Sequence, residues 1–170
     1  MNTQFRLLAC LAVLSSAATL AHAEEKRNAV SLFGNITSSS DISFIRVNLG
    51  YERLVLDKTS ILVNYSQFYT DVDGNKFGNS AISLGVTQYL GAPLQGGKLL
   101  VYGKGIVSAL RTEVPGGGSS SGTGLGLFAG LEQPFSETTS LFEELGYQRD
   151  RTEGVSTNSI VFNVGLKLRF

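Results

Sequence analysis

The sequence has one histidine, one cysteine and one methionine, and it has no tryptophan. These single residues are His22, Cys10 and Met1, so all three lie within the first 23 positions. The rest of the chain therefore has no imidazole and no thiol. This absence excludes Ser-His-Asp and Cys-His nucleophiles, metal sites built on His or Cys, disulfide bonds, and the usual haem or iron–sulfur ligands.

The first 23 residues have the pattern of a secretory signal peptide. Arg6 precedes an apolar stretch over residues 7–20, and Ala21-His22-Ala23 forms a small-x-small cleavage site. We expect cleavage after Ala23. A transmembrane anchor is the alternative, but the stretch is too short and is interrupted by serine and threonine. A lipoprotein signal ending at Cys10 would leave almost no hydrophobic region before that cysteine.

Removal of residues 1–23 leaves residues 24–170, which are enough for a single domain. The loss of Arg6 leaves 13 basic residues against 14 acidic residues. A net charge near −1 argues against a general nucleic-acid-binding protein, which normally has a basic patch. An exported domain without disulfides also needs another source of stability.

Several segments alternate apolar residues with polar or small ones at a period of two, as β-strands with two different faces do. In the last segment, residues 160–170, Ile160, Phe162, Val164, Leu166, Leu168 and Phe170 share one face, whereas Lys167 and Arg169 lie on the other. The periodicity predicts eight strands, at residues 29–37, 43–54, 60–70, 80–90, 99–110, 123–133, 140–148 and 160–170.

Stretches rich in Gly, Pro, Ser, Asn and Asp separate these segments. The longest follow the third, fifth and seventh strands and include residues 71–79, 111–122 and 149–158. The pattern predicts an up-and-down barrel with elaborated loops at one end and tighter turns at the other.

The orientation of the two faces decides which solvent surrounds the barrel. A soluble periplasmic barrel that binds a small ligand would turn the apolar face inward, whereas a membrane barrel turns it toward lipid. The opposite face is rich in glycine and other small residues, as expected for a narrow interior. Aromatic residues near strand ends also favour the membrane: Tyr51, Tyr65, Tyr69, Tyr89, Tyr147 and Phe170, of which Tyr89 shares the inward phase. Glu143 shares the lipid-facing phase and requires a position near the headgroups.

The segment IVFNVGLKLRF (160–170) resembles the C-terminal strand signal of bacterial outer-membrane β-barrels, which has a terminal aromatic and apolar residues at every second position before it. With VYGKG (101–105) and ELGYQ (144–148), residues 28–170 resemble the small OmpX/OmpA-type eight-stranded barrels. The resemblance implies an all-β, antiparallel transmembrane barrel in the bacterial outer membrane. It also implies that the insertion machinery reads the row formed by Phe162, Val164, Leu166, Leu168 and Phe170.

The inward phase contains ionisable residues of both signs. They are Arg46, Lys104, Lys167 and Arg169 against Glu52, Glu132 and Glu144. Because an unpaired interior charge is strongly destabilising, the near balance predicts an ion-pair network that fills the lumen. The leading hypothesis is a non-catalytic outer-membrane barrel with a plugged lumen and a structural or surface-interaction role. A narrow gated pore, in which one ion pair exchanges partners, is the alternative.

No catalytic, cofactor or metal motif is predicted. GTGLGLFAG (122–130) superficially matches a dinucleotide loop, but its glycines share one parity of a strand and no helix pattern follows. DVDGN (71–75) has too few of the ligands of a calcium loop. A hydrolase that uses only the carboxylates Glu132 and Glu144 is a minor alternative, because nothing in the sequence positions them around a substrate.

Overall fold

The alternating segments form eight antiparallel strands, which we number in chain order. The computed structural model describes residues 26–38, 42–72, 75–93, 98–114, 118–153 and 155–170, and the predicted signal peptide lies outside these residues. The strands are β1 (Asn28–Ser38), β2 (Ile42–Leu56), β3 (Thr59–Val72), β4 (Asn75–Tyr89), β5 (Leu100–Val114), β6 (Gly118–Pro134), β7 (Thr139–Thr152) and β8 (Val155–Arg169). Each strand pairs with the next along the chain, and β8 pairs with β1, so the sheet closes into the predicted up-and-down barrel. Within the described ranges, no helix has the length and apolarity needed to cross a bilayer.

The connections differ from those expected, and the prediction of long loops after the third, fifth and seventh strands is wrong. Most of residues 71–79, 111–122 and 149–158 extend the strands, with terminal pairs such as Val72 with Asn75 and Thr152 with Val155. Only two or three residues separate the strands at these points, whereas residues 90–99 separate β4 from β5. Serine, threonine and asparagine fit a strand that meets water on both faces, so their abundance did not mark loops.

The register of the ladders sets the shape of the barrel. If the partner of each residue is followed from Ala29 on β1 across the sheet, strand by strand, the path ends at Ser159 on β8. The direct partner of Ala29 on β8, however, is Arg169. The offset of ten residues between Ser159 and Arg169 is the shear of the barrel. With eight strands, this shear gives a strand tilt of about 40° and a backbone radius of about 8 Å. An interior of this width is filled by side chains.

The apolar face lies on the outside of the barrel. On β8, Leu166 and Leu168 are 49% and 40% exposed, whereas Lys167 and Arg169 are only 4% and 7% exposed. On the other strands, most outward residues of the belt are leucine, isoleucine or valine, and most inward residues are polar, small or aromatic. Leu54, Leu62, Leu100 and Leu110 are exceptions, because they are buried. This orientation is the one predicted for a membrane barrel and the reverse of that of a soluble barrel.

Three of the aromatic assignments differ from the expectation of an interfacial girdle: Tyr89, Tyr65 and Tyr147, the last of which faces outward between the apolar residues Leu127 and Ile160. Tyr89 is only 1% exposed and lies in the lumen, in agreement with its inward phase. Tyr65 faces outward but pairs with the apolar residues Leu49 and Ile82, so it lies within the apolar belt and not at its edge. The tyrosines therefore do not form a simple ring at the interface.

Glu143 lies on the outer face, as its phase predicted. Its partners in the neighbouring strands, Leu131 and Val164, are both exposed apolar residues. A carboxylate therefore faces the apolar belt on β7.

Small residues on the inner face make room for large neighbours. A Cβ atom added to Gly130 would meet the ring of Tyr102, and one added to Gly146 would meet the ring of Phe128. The glycines that the sequence places on the inward face thus accommodate the aromatic rings that fill the narrow lumen.

Candidate functional site

The lower part of the lumen, near the chain end of β8, contains a cluster of four charges. Lys167 Nζ lies 2.8 Å from Glu52 Oε2 and 2.9 Å from Glu132 Oε2. Arg169 Nη2 lies 2.6 Å from Glu132 Oε1. Two positive and two negative groups are therefore brought together from β2, β6 and β8, and their charges balance.

Neutral hydroxyl groups complete this cluster. Tyr89 on β4 donates a 2.7 Å hydrogen bond to Glu52 and accepts one of 2.8 Å from Lys167. Ser60 donates to Glu52, and Ser140 donates to Glu132 at 2.6 Å. Both carboxylates consequently have several donors each, which is the condition under which a buried charge is tolerated. We call Glu52, Tyr89, Glu132, Lys167 and Arg169 the lower charge cluster.

A second ion pair lies above this cluster. Lys104 on β5 pairs with Glu144 on β7, and both side chains are almost completely buried. Glu144 also accepts hydrogen bonds from Tyr102 at 3.2 Å and from Asn163 at 3.0 Å. The Lys104 ammonium lies 4.7 Å from the centre of the Phe128 ring, an arrangement that adds a cation–π attraction.

Arg46 lies higher in the lumen and is not brought to any of the three glutamates grouped with it from the sequence. Its Nη1 donates a 3.0 Å hydrogen bond to Gln148, whose amide in turn donates to Asp150 at 2.9 Å. The guanidinium also stacks over Phe68, with its central carbon 4.9 Å from the ring centre. The seven charged residues selected from the sequence therefore occupy three levels: the lower charge cluster, the Lys104–Glu144 pair and Arg46.

The neutral members of these groups were missed in the sequence. Tyr102, Ser60, Ser140, Asn163 and Gln148 all occupy inward positions of their strands. Their phase was therefore visible, but only ionisable residues were selected. A search that included every polar residue of the inward phase would have found them.

Little free volume remains between the levels. A cavity of about 20 Å³ lies between the lower cluster and Lys104, with Ser31, Phe142 and Thr87 in its wall. Another of about 20 Å³ lies around Asn48, Ser66 and Ser83. Each has room for about one water molecule. The described residues contain no group of His, Cys, Asp and Glu suited to hold a metal ion.

The apolar row on β8 that was selected as an assembly signal faces outward. Phe162, Val164, Leu166 and Leu168 are each at least 40% exposed. Phe170 continues the row, and its backbone exchanges hydrogen bonds with Asn28 on β1. The row therefore lies on the outer surface at the junction of the last and first strands.

Comparisons with known proteins support the fold. No protein-family model matches the sequence, and no functionally curated protein matches it. Among solved structures, the N-terminal β-barrel domain of OprF from Pseudomonas aeruginosa is 16% identical with a TM-score of 0.60, and the match covers 84% of this chain and 96% of that one. Neisserial surface protein A is 15% identical with a TM-score of 0.61, covering 84% and 96%. Ail of Yersinia pestis is 15% identical with a TM-score of 0.54, covering 84% and 98%.

These similarities are low in sequence and concern the fold. The three matched proteins are small barrels, and Ail is an outer membrane protein. Together with the closed sheet and its apolar exterior, they identify the architecture as that of a small outer-membrane β-barrel.

Proposed function

We propose that the protein is a non-catalytic integral outer-membrane protein whose lumen is closed by its charge network. The observation that supports this most strongly is the position of Lys167 between Glu52 and Glu132. These three residues belong to β8, β2 and β6, which are not neighbours in the barrel, so their ion pairs cross the lumen. Any solute path would have to separate these charges, and separating a buried pair leaves an uncompensated charge.

Planar-bilayer recording tests the closure. We expect the purified protein to give no reproducible current steps, because water-sized cavities and crossing ion pairs leave no continuous aqueous path. Reproducible single-channel steps in the unchanged protein would contradict a closed lumen. The recordings need a parallel measurement of the folded, inserted fraction, so that silence is not mistaken for failed insertion.

A narrow gated pore is the second candidate, and the polar lining of the upper lumen favours it. Asn48, Asn64, Ser66, Ser83 and Ser108 surround the space above Lys104. In the gating step, the Lys104 ammonium would leave Glu144 and bind to these neutral groups instead. Current steps that disappear in Lys104→Met and in Arg46→Met would support this candidate over the closed barrel.

A hydrolytic role for Glu132 and Glu144 receives no support from their surroundings. Glu132 is bound by Lys167 and Arg169, and Glu144 by Lys104. A general base needs a carboxylate that can reach a substrate proton. Incubation of the folded protein with phospholipid vesicles should therefore release no fatty acid, and Glu132→Gln should release the same background amount.

The outer end of the barrel is the proposed interaction surface. The strands there extend beyond the apolar belt and expose Arg111, Glu113, Arg149 and Arg151. We propose that residues 71–79, 111–122 and 149–158 face the cell exterior and contact surfaces or other envelope components. Cysteines replacing Ser156, at this end, and Ser136, at the other, test the orientation in intact cells: a membrane-impermeant maleimide should label only Ser156→Cys. Labelling of Ser136→Cys alone would reverse the orientation.

The apolar row on β8 is the proposed contact for the insertion machinery. Phe170→Ser should slow assembly of the barrel in the outer membrane, because it removes the aromatic side chain at the end of that row. Phe135→Ser is the matched control, since Phe135 lies in the turn between β6 and β7 at the same end and is 60% exposed. Equal assembly of the two variants would remove this role.

A further inference from the structure

The seam between β1 and β8 is paired over only part of its length. The ladder consists of six residue pairs, from Ala29 with Arg169 to Gly34 with Val164, and Asn28 and Phe170 exchange backbone hydrogen bonds just below it. Every other neighbouring pair of strands has at least 11. Above Gly34 and Val164, β1 continues to Ser38 and β8 continues up to residue 155 without pairing to each other. The wall of the barrel therefore has a lateral cleft, which we call the β1–β8 cleft.

The β1–β8 cleft extends from the apolar belt to the polar strand ends above it and connects two chemically different spaces. It forms an open groove of about 1140 Å³. One part of its lining comes from the exposed outer face: Leu32, Ile45, Val47, Ile160 and Phe162. The other part comes from the lumen: Phe33, Asn35, Arg46, Phe68 and Asp150. The cleft thus joins the hydrocarbon side of the wall to the polar upper lumen.

The inner end of the cleft has a polar floor. Asn35 Nδ2 donates a 3.1 Å hydrogen bond to Asn163 Oδ1, which bridges the two strands just above their last paired residues. Asn35 Oδ1 is buried and has no hydrogen-bond partner within the described part of the chain. Arg46 and Asp150 lie beside it with opposite charges. This end of the cleft offers an acceptor, a cation and an anion.

We propose that the β1–β8 cleft binds a single-chain zwitterionic amphiphile of the lysophospholipid class. Its hydrocarbon chain lies along Leu32, Val47 and Phe162, and its head enters the wall through the gap. There its phosphate meets Arg46, its ammonium meets Asp150, and a glycerol hydroxyl donates to Asn35 Oδ1. The volume of the cleft lies just above the range of small-molecule sites, roughly 300–1,000 Å³.

The unpaired backbone supports a ligand with a polar head at this place. Hydrocarbon cannot satisfy free N–H and C=O groups, and each unsatisfied group in lipid costs several kcal/mol. A diacyl phosphatidylcholine has no free glycerol hydroxyl, so it cannot donate a hydrogen bond to the free carbonyl groups. A head that carries hydroxyl and phosphate oxygens supplies donors and acceptors to both strand edges.

A second copy of the chain is a poorer occupant. Two barrels related by a two-fold axis along the membrane normal would bring their tilted edge strands together at about twice the strand tilt, or roughly 80°. Strands that cross at this angle cannot form a continuous ladder, because pairing requires neighbouring strands to be nearly aligned. The amphiphile is therefore the occupant that fits both edges.

Photolabelling of the folded protein in bilayers tests the proposal. The probe is a lysophosphatidylcholine with a diazirine in its chain, and peptides are mapped after irradiation. We expect more labels on β8 around Phe162 and on β2 around Val47 than on the outer surface of β4 and β5. Val47→Trp should lower the labelling of β8 by about tenfold, because the indole occupies the part of the cleft in which the hydrocarbon chain lies. Val107→Trp is the matched control, since Val107 is 54% exposed and Val47 is 52% exposed.

Three results would overturn the proposal. They are labels spread evenly around the belt, equal labelling in Val47→Trp and Val107→Trp, and equal labelling of the cleft by a diacyl phosphatidylcholine with the same diazirine. Circular dichroism of each variant establishes that it is folded. The outcome is independent of the conductance measurement, so the closed lumen and the lipid site stand or fall separately.

Discussion

Lys167 on β8 and Glu132 on β6 form an ion pair of 2.9 Å across the lower lumen, and the same lysine lies 2.8 Å from Glu52 on β2. The sheet neighbours of β8 are β7 and β1. The lysine therefore fastens the last strand to two strands with which it shares no backbone ladder. Through this one lysine, Glu52 and Glu132 are linked from opposite sides of the barrel, and this contact is the basis of the proposed closure to solutes.

Removal of the Lys167 charge should destabilise the barrel. In Lys167→Met, Glu52 and Glu132 lose their shared cation, and breaking a buried ion pair costs about 3–5 kcal/mol of unfolding free energy. Urea unfolding in lipid vesicles, followed by circular dichroism, measures this loss.

The control for this prediction is Lys26→Met. Lys26 pairs with Glu137 at 3.1 Å, but that pair is exposed to solvent. Exposed pairs contribute less than about 1 kcal/mol, so the midpoint should hardly change. Equal losses in the two variants would contradict a stabilising role for the lower charge cluster.

Gly146→Ala should also destabilise the protein. The added methyl group would meet the Phe128 ring and the carbonyl oxygen of Leu127 inside the lumen. Overpacking of this kind costs about 1–3 kcal/mol. Gly103→Ala is the control, because no atom lies within contact distance of a Cβ there. If the urea midpoints of the two variants agree, the small inward residues are not spacers for the aromatic rings.

Glu143→Gln should stabilise the protein in bilayers. Glu143 faces the apolar belt between Leu131 and Val164, and a charge facing lipid is unfavourable in a depth-dependent way. We expect a gain of about 1 kcal/mol, below the roughly 2–4 kcal/mol of a basic residue at the midplane. Glu113→Gln should change nothing, because Glu113 pairs with Gly78 and Ser119 beyond the belt. A loss of stability in Glu143→Gln would place this residue in a favourable contact.

Periodicity predicted the strands and their faces, but it could not predict which inward charges meet. The alternation of residue types predicts that Lys167 points into the lumen, but it does not predict the position of Lys167 along the barrel axis relative to Glu52 or Glu132. That position depends on the shear of ten residues between Ser159 and Arg169, which arises only when the last strand closes on the first. The incomplete β1–β8 ladder also results from this closure, and the residue pattern of neither strand predicts it.

The ends of the strands were mispredicted for a different reason. Residues 118–122 consist only of glycine and serine, yet they continue β6 and pair with β5, and Gly122 also pairs with β7. Residue types that are common in turns can take part in a β-ladder when the neighbouring strand holds them in register. Composition therefore located the hairpins, but it overstated the length of their loops.

Hydrogen exchange should reveal the β1–β8 cleft directly. Amides of residues 155–163 that point away from β7 have no partner on β1, whereas those of residues 164–168 lie in the ladder. We expect the first group to exchange faster in bilayer samples, because an unpaired amide needs no opening step. Uniform protection along β8 would mean that the seam is closed.

The central claim is that the hydrophobic side chains face lipid and the charges face the lumen. The sequence has no tryptophan, so a single introduced one reports its own surroundings. Fluorescence quenching by brominated lipid should be strong for Leu166→Trp, which is outward, and weak for Phe142→Trp, whose native side chain is buried in the lumen. Equal quenching of the two, or stronger quenching of Phe142→Trp, would contradict the orientation of the barrel.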